Sequence, residues 1–483
     1  DRIYMGAVQA MTGGGGWPMS VFITPEGTPF YGGTYFPKEQ RYNMPSFKQV
    51  LDAIVEAWDE RRAELLRGGE QIVAALERQQ RQQDAQEAED LNPQTIEDAY
   101  QNLRQDFDAV HGGWGGAPKF PQPMALEFLL RYHQTTGDHR ALQMVTQTLE
   151  AMARGGVYDQ LGGGFHRYAV DANWLTPHFE KMLYDNAQLA RIYLHAWQVT
   201  GEPLFCAVAE ETLDYVMREM TSPEGGFYAT QDADTEEEEG KFYVWTPDEI
   251  RSALGGPATR FLELYGVTDS GNFEGKNILT FNGSFEEREA IEGARRQLFE
   301  AREQRTRPGR DEKVVVSWNG LMLAAFAEAA RALDRSDAAP ERAARYRDVA
   351  ERNADFLLRN LRSERGRLRH VWKDGKADVV GFLEDYAHLI EGLLALYQTT
   401  FETRWYEAAA GLAAAMVTHF QAEKGFYDTA DDAEDLVVRP RELQDNAAPS
   451  GNAMAATVLL KLARYGADAD REAIARASQA QLQ

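Results

Sequence analysis

The sequence predicts a mostly α-helical protein in which helical hairpins stand side by side in a ring, behind a short α/β segment. Three observations carry that prediction. From residue 93 onward, amphipathic helical patterns alternate with short glycine-aromatic breaks. This gives a repeat of outer helix, turn and inner helix that buries its apolar faces only by stacking on its neighbours. Residues 13–37, GGGGWPMSVFITPEGTPFYGGTYFP, read instead as two strands and a turn. Finally, 43% hydrophobic residues suffice for a large core, while no stretch approaches the ~18 consecutive apolar residues of a membrane span.

The elements follow in order. Met19 to Ile23 is rich in strand formers, Pro25-Glu26-Gly27 is a turn signal, and Pro29 to Tyr35 returns as a second strand closed by Phe36-Pro37. The first strand is entered through Trp17-Pro18. A proline there gives up a ladder donor and has an accessible cis isomer, so Pro18 is expected as a structural cis-proline. Phe47 to Trp58 reads as a helix. Residues 59–92, rich in Glu, Gln, Arg and Ala, suit solvated helix and connector. Asn92-Pro93 is a cap followed by proline at the first helical position. These boundaries divide the chain into residues 1–70, a helical linker over 71–92, and a helical ring over 93–483.

Within the ring, breaks fall at Gly113-Trp114, Gly164-Phe165-His166, Gly226-Phe227-Tyr228, Gly366-Arg367-Leu368 and Gly425-Phe426-Tyr427. Inner helices follow over 124–134, 181–197, 318–333, 382–397 and 451–465. Asp185, Asn319, Asp385 and Asn452, near four of their starts, are 134, 66 and 67 residues apart. The long first interval reflects an insertion near 231–312 rather than a hidden hairpin, because Phe227 to Asn319 is 92 residues whereas Phe165 to Asp185 is 20. Five inner helices are recognisable where an (α/α)6 toroid has six, which predicts a ring open on one side.

Polar residues at the inner-helix starts are the functional candidates. Thr176-Pro177 reads as a helix start, which sets His178, Lys181 and Asp185 in one arc facing the ring's mouth. Equivalent starts supply Trp318 and Asn319, then Glu384, Asp385, Tyr386 and His388, then Asn452. His166, Arg167 and Trp174 lie just before the first arc. The competing reading is that such groups cap helices and bond adjacent hairpins. Aromatic rings interleaved with carboxylates favour a carbohydrate ligand, bound by residues such as Trp174, Trp318, Tyr386 and Arg167. Two chemistries fit. Asp185 with Asp385, or Asp232 with Asp385, could supply the carboxyl pair of an inverting glycosidase, about 6.5–9.5 Å apart. An epimerase needs a base beside a carbonyl and an acid opposite, for which His166, His178 and His388 are candidates.

The hairpin GGWPMSVFITPEGTPFYGGTYFP resembles the second half of a thioredoxin fold, in which a cis-proline precedes the third strand and a hairpin leads to the last helix. With FPKEQRYNMPSF it resembles the thioredoxin-domain family that includes the spermatogenesis-associated proteins, and HFEKMLYDNA, SWNG and LEDYA resemble that family's motif segments. The resemblance spans nearly the whole chain. It implies a C-terminal toroid like that of the N-acylglucosamine 2-epimerases, and a redox centre upstream of residue 1. Cys206 is the sole cysteine, so no C-x-x-C forms here, and the chain reads as truncated. The expected function is sugar isomerisation, epimerisation or glycoside hydrolysis. The alternatives are a redox protein whose cysteines lie outside this chain, or a non-catalytic toroid that binds glycan or protein.

A net charge of −25 disfavours nucleic acid and anionic membranes. The expected partner is a small molecule or oligosaccharide, without cofactor or metal, and a single cysteine fits a reducing, cytoplasmic compartment. The DADTEE run at 232–237 begins like a calcium loop but carries Glu237 where that loop needs glycine.

Overall fold

The computed structural model describes residues 2–42, 44–85, 92–336, 339–466 and 469–479. Helix α1 (Arg2–Thr12) leads into the antiparallel hairpin of β1 (Ser20–Ile23) and β2 (Pro29–Gly33), and then into the long helix α2 (Phe47–Ala85). The Trp17–Pro18 bond is cis. Ser20 pairs with Gly33 and Phe22 with Tyr31. Glycine is required at Gly32, where an added Cβ would stand 3.0 Å from Val8 and 3.2 Å from the Ser20 carbonyl, so α1 lies directly on the hairpin. Helix α2 continues past residue 70, with a kink at Arg61 (φ −131°, ψ 28°). The boundary expected at 70 therefore falls inside a helix, and residues 86–91 of the expected linker lie outside the described residues.

The ring opens with α3 (Pro93–Gln105), where the Asn92 side chain accepts the N–H groups of Gln94 and Thr95. Helices α4 (Pro123–Thr136) and α5 (His139–Arg154) form the first hairpin. The short strands β3 (Tyr168–Ala169), β4 (Pro177–His178) and β5 (Lys181–Met182) lead to α6 (Leu183–Thr200) and α7 (Pro203–Glu219). The insertion then contributes β6 (Thr230–Gln231), β7 (Asp234–Thr235), β8 (Glu238–Glu239), α8 (Pro247–Leu254), α9 (Ala258–Leu264), α10 (Phe285–Ala290), α11 (Glu292–Arg302) and β9 (Arg310–Asp311). It carries a core of its own around Trp245, Phe261, Tyr265, Phe281 and Leu298. After β10 (Val314–Val315) come α12 (Val316–Ser336) and α13 (Pro340–Asn360). Strands β11 (Arg369–Lys373) and β12 (Lys376–Val380) precede α14 (Leu383–Thr400) and α15 (Thr403–Phe420), and α16 (Gly451–Gly466) and α17 (Ala469–Gln479) end the chain.

Helices α4, α6, α12, α14 and α16 pack side by side in that order, each backed by its outer partner. The middle ones are enclosed, with Leu321 to Ala327 and Leu389 to Leu396 buried and mostly apolar, as enclosed helices require. Helices α16 and α4 share no extended packed face, so the ring of five described inner helices is open between them.

One device recurs in the ring. The Asn319 amide accepts the Phe227 N–H (2.8 Å) and donates to the Phe227 carbonyl (3.0 Å), tying an inner-helix start to the preceding glycine-aromatic break. Asn186 does the same to Phe165, Asn452 to Phe426, and the Tyr386 hydroxyl accepts the Leu368 N–H. The structurally equivalent residues are therefore Asn186, Asn319, Tyr386 and Asn452, and the expected register is corrected by one residue at Asp185 and Asp385. Asn319→Ala is expected to cost about 1–3 kcal/mol in chemical denaturation, since it leaves the buried Phe227 peptide groups unpaired.

The helix expected from Thr176-Pro177 begins only at Leu183. Residues 177–182 are extended instead, because His178 pairs with Tyr168 and Lys181 with Gln231. His178, Lys181 and Asp185 consequently share no helical arc.

Candidate active site at the ring's mouth

The starts of the inner helices form one end of the ring, and its best-defined cluster gathers at α14. Asp385 is fully buried there. Its carboxylate accepts the N–H groups of Ser317 (3.0 Å) and Phe382 (2.8 Å), and the Nδ1 of His370 lies 2.9 and 3.1 Å from its two oxygens. His370 is brought over the helix start by β11, which pairs with β10 and β12. A proton on Nδ1 shared with Asp385 leaves Nε2 as the basic ring nitrogen. Burial lowers the His370 pKa, but the Asp385 charge and hydrogen bond outweigh it, and the net shift is upward.

His370 opens on a cavity of about 440 Å³. Arg2, Ile3 and Tyr4 of α1 form one wall; Phe382, Glu384, Asp428 and Pro440 belong to the ring side. Arg2 fastens the two together through Asp428 (2.9 Å) and Glu442 (3.1 Å). Burial, and then the neighbouring Asp385 charge, push the Glu384 carboxyl up to about 7, with Arg2 and His370 pulling the other way. Burial likewise raises Asp428. The cavity thus holds a carboxyl group that titrates near neutrality together with an imidazole whose basicity is raised, a donor and an acceptor for one proton.

A raised carboxyl pKa has a sign that can be tested. Between the ordinary value of 4.5 and the folded value of about 7 the native state binds the extra proton, so stability from this group falls as pH rises through that window. Glu384→Gln removes the penalty. It is expected to raise the melting temperature relative to the parent at pH 8 and to have little effect at pH 4.5.

The other candidates are dispersed. Asp185 is buried beside the Arg167–Glu180 pair (2.9 Å), with its Oδ2 unpartnered and its pKa driven well above the usual range by burial. Tyr184 meets the half-buried Trp318 edge-on at 4.8 Å, forming the α6 and α12 side of the mouth. His166 and His388 are buried, and desolvation lowers them to about 3 and 4. His178 bonds Glu239 of the insertion (2.7 Å). Lys181 is enclosed between Asp159 (2.8 Å) and the Gly163 carbonyl (2.9 Å), and burial brings it down to about 8. Trp174 is fully buried, donating to the His111 carbonyl. Asp232 is exposed on the insertion, its N–H bonded to Gly309. Asn319, Tyr386 and Asn452 are spent on backbone groups, as described above.

Sequence reasoning found Glu384 and Asp385 and missed His370, Asp428 and Arg2. The available signal was RHVWK, a short alternating segment ending ten residues before the LEDYA run. Among the described residues, one group of three metal-type ligands lies within 4.8 Å, the surface set His419, Asp431 and Asp432, and Asp432 is already paired with Arg367.

Fold and site define a toroid of helical hairpins joined to a thioredoxin-type segment, with a histidine and carboxyl cluster at the ring's mouth. Residues 1–77 match the family model Thioredox_DsbH, described as a protein of unknown function, DUF255. Human spermatogenesis-associated protein 20 is 36% identical over 517 residues, covering 96% of this chain and 65% of its own length. An uncharacterized Caenorhabditis elegans protein is 33% identical over 512 residues, covering 96% of this chain and 68% of its own. The chain belongs to the spermatogenesis-associated protein 20 family, and it spans about 65% of the length of the human relative. The crystal structure of D-mannose isomerase matches with a TM-score of 0.52 at 11% identity, over 80% of this chain and 84% of that one, which shows a shared toroid fold. Among the described residues, no helix is long and apolar enough to cross a membrane.

Proposed function

We propose that the mouth of the ring moves protons on a sugar, at the carbon next to its carbonyl, in an isomerase or epimerase reaction. The observation that supports this reading is that His370, backed by Asp385, lines one cavity with Glu384. In the forward step the C–H bond breaks, its proton passes to His370 Nε2, and the Glu384 carboxyl gives its proton to the carbonyl oxygen, leaving an enediol. Return of the His370 proton to the neighbouring carbon, with the hydroxyl proton on the original carbon passing to Glu384, isomerises the sugar. Return to the original carbon once the enediol presents its other face, with the proton on the former carbonyl oxygen passing back to Glu384, epimerises it. Asp385 fixes the imidazole tautomer and stabilises the imidazolium. Phe382 and Tyr4 offer apolar surface to the sugar, and Arg2 and Asp428 offer hydrogen-bond partners to its hydroxyls. The toroid shared with D-mannose isomerase agrees with a sugar substrate.

Hydrolysis of a glycosidic bond is less well supported. Asp385 would have to activate water, yet its oxygens are occupied by two backbone N–H groups and His370. A thiol reaction at Cys206 is disfavoured too, because burial pushes that thiol up to about 12.

The test is incubation with aldoses, ketoses and N-acetylhexosamines in heavy water, reading deuterium at the carbons beside the carbonyl by NMR. Exchange into one sugar class that disappears in His370→Asn is the expected result. Absence of exchange from every sugar, in a chain that melts cooperatively, would overturn the reading.

A further inference from the structure

A second cavity, of about 250 Å³, lies among the inner helices at the open seam of the ring. The loop before α16 separates it from the mouth: Ala447 accepts from Gln188 (2.7 Å) and Pro449 faces His388 (3.2 Å). Charged side chains from all five inner helices meet here in strict alternation of sign. Lys461 bonds Glu391 (2.7 Å), which meets Arg191 at 3.1 Å, and Arg191 holds Glu328 through two bonds of 2.8 and 2.9 Å. Glu328 lies 3.0 Å from His195, His195 lies 2.8 Å from Glu127, and Glu127 bonds Arg131 at 2.6 Å.

Burial would lower His195, but its two carboxylates outweigh that and raise it to about 9, so it is a cation at neutral pH. The row therefore holds four cations and three carboxylates, a local excess of positive charge in a chain of net −25. Its two ends are both cations. Each shares its carboxylate with an inner cation, and each reaches solvent, Lys461 with 38% and Arg131 with 70% of its side chain exposed. The inner carboxylates keep lone pairs for hydroxyl donors, and Met124, Ile192, Leu321 and Met454 supply apolar lining.

We propose that this cavity binds a small polyhydroxylated anion, such as a sugar phosphate or a sugar acid, with its anionic group toward Lys461 and Arg131. The terminal cations neutralise Glu391 and Glu127 and still present exposed charge at the entrance, where an anion can reach them. The proposal stands apart from the chemistry at the mouth, since the two cavities have separate linings.

Thermal-shift titrations of the whole chain with glucose 6-phosphate, gluconate and glucose test it. Both anions are expected to raise the melting temperature at low salt, glucose to do so far less, and ~0.5 M salt to shrink the effect. Arg131→Met, at a largely exposed position where folding is not at stake, is expected to weaken the apparent affinity about tenfold, and the double variant with Lys461→Met to abolish the shift. Equal shifts with glucose, an unchanged response in the double variant, or loss of the response in Glu384→Gln would each overturn the assignment. So would the absence of any shift at about 10 mM anion.

Discussion

Asp385→Asn is expected to slow sugar proton exchange by about 10²–10⁴-fold while leaving substrate binding little changed. Asparagine keeps one oxygen for the Ser317 or Phe382 N–H, but it presents an amide in place of the second oxygen. An amide N–H facing His370 Nδ1 forces the imidazole proton onto Nε2, the nitrogen required as base. The net upward shift of His370 also disappears with the carboxylate charge that causes it. Asp385 is a positioning residue in this scheme, so the pH profile is the decisive readout. The limb assigned to His370 should move to lower pH in the variant, whereas a purely structural role for Asp385 would leave that limb in place and show up as lost stability alone.

Asp159→Asn is expected to destabilise the fold by about 3–5 kcal/mol, measured by chemical denaturation, because it strands two buried cations. Arg302 of α11 grips Asp159 with bonds of 2.8 and 3.0 Å, and Lys181 of β5 adds a third at 2.8 Å. All three side chains are buried. Burial alone would raise the Asp159 pKa, yet Arg302 and Lys181 hold it well below the carboxylate range. A depressed pKa contributes stability that is present above the unfolded value near 3.8 and is lost as pH falls toward the folded one. The parent should therefore lose more stability than the variant on acidification below pH 4. Because the triad ties the insertion to the ring, the variant should also release the insertion to proteolysis.

The ring, its open side and the hairpin were legible because each is written locally. Helical periodicity, glycine-aromatic breaks and turn residues need no knowledge of distant partners. Glu384 and Asp385 were legible for the same reason, as acids opening an apolar helix. His370 was not, since its role depends on β11 crossing to the start of α14. The late start of α6 was hidden in the same way, its preceding residues being held extended by strands from elsewhere in the chain. The recurrence of Asp and Asn at the inner-helix starts covers two roles that the sequence does not separate: the amides and Tyr386 clamp backbone, while the aspartates stand one residue earlier. The alternating charges of the seam did leave a trace. Glu328 stands between Ala327 and Ala329, Glu391 between Ile390 and Gly392, and Arg191 and His195 are four apart among Ile192, Tyr193 and Leu194. Polar residues inside otherwise apolar helices are costly unless partnered, and a search for such interruptions would have found the row.

The clasp between Arg2 and the pair Asp428 and Glu442 makes the mouth cavity the joint property of two parts of the chain. A second tie, from Gln80 to the Arg439 carbonyl (2.7 Å), reinforces the attachment. Affinity at the cavity and the posture of α1 are then two expressions of a single coupling free energy. A molecule that engages the N-terminal segment and draws α1 off the ring loosens the cavity's occupant by a given factor, and the occupant weakens that engagement by the same factor.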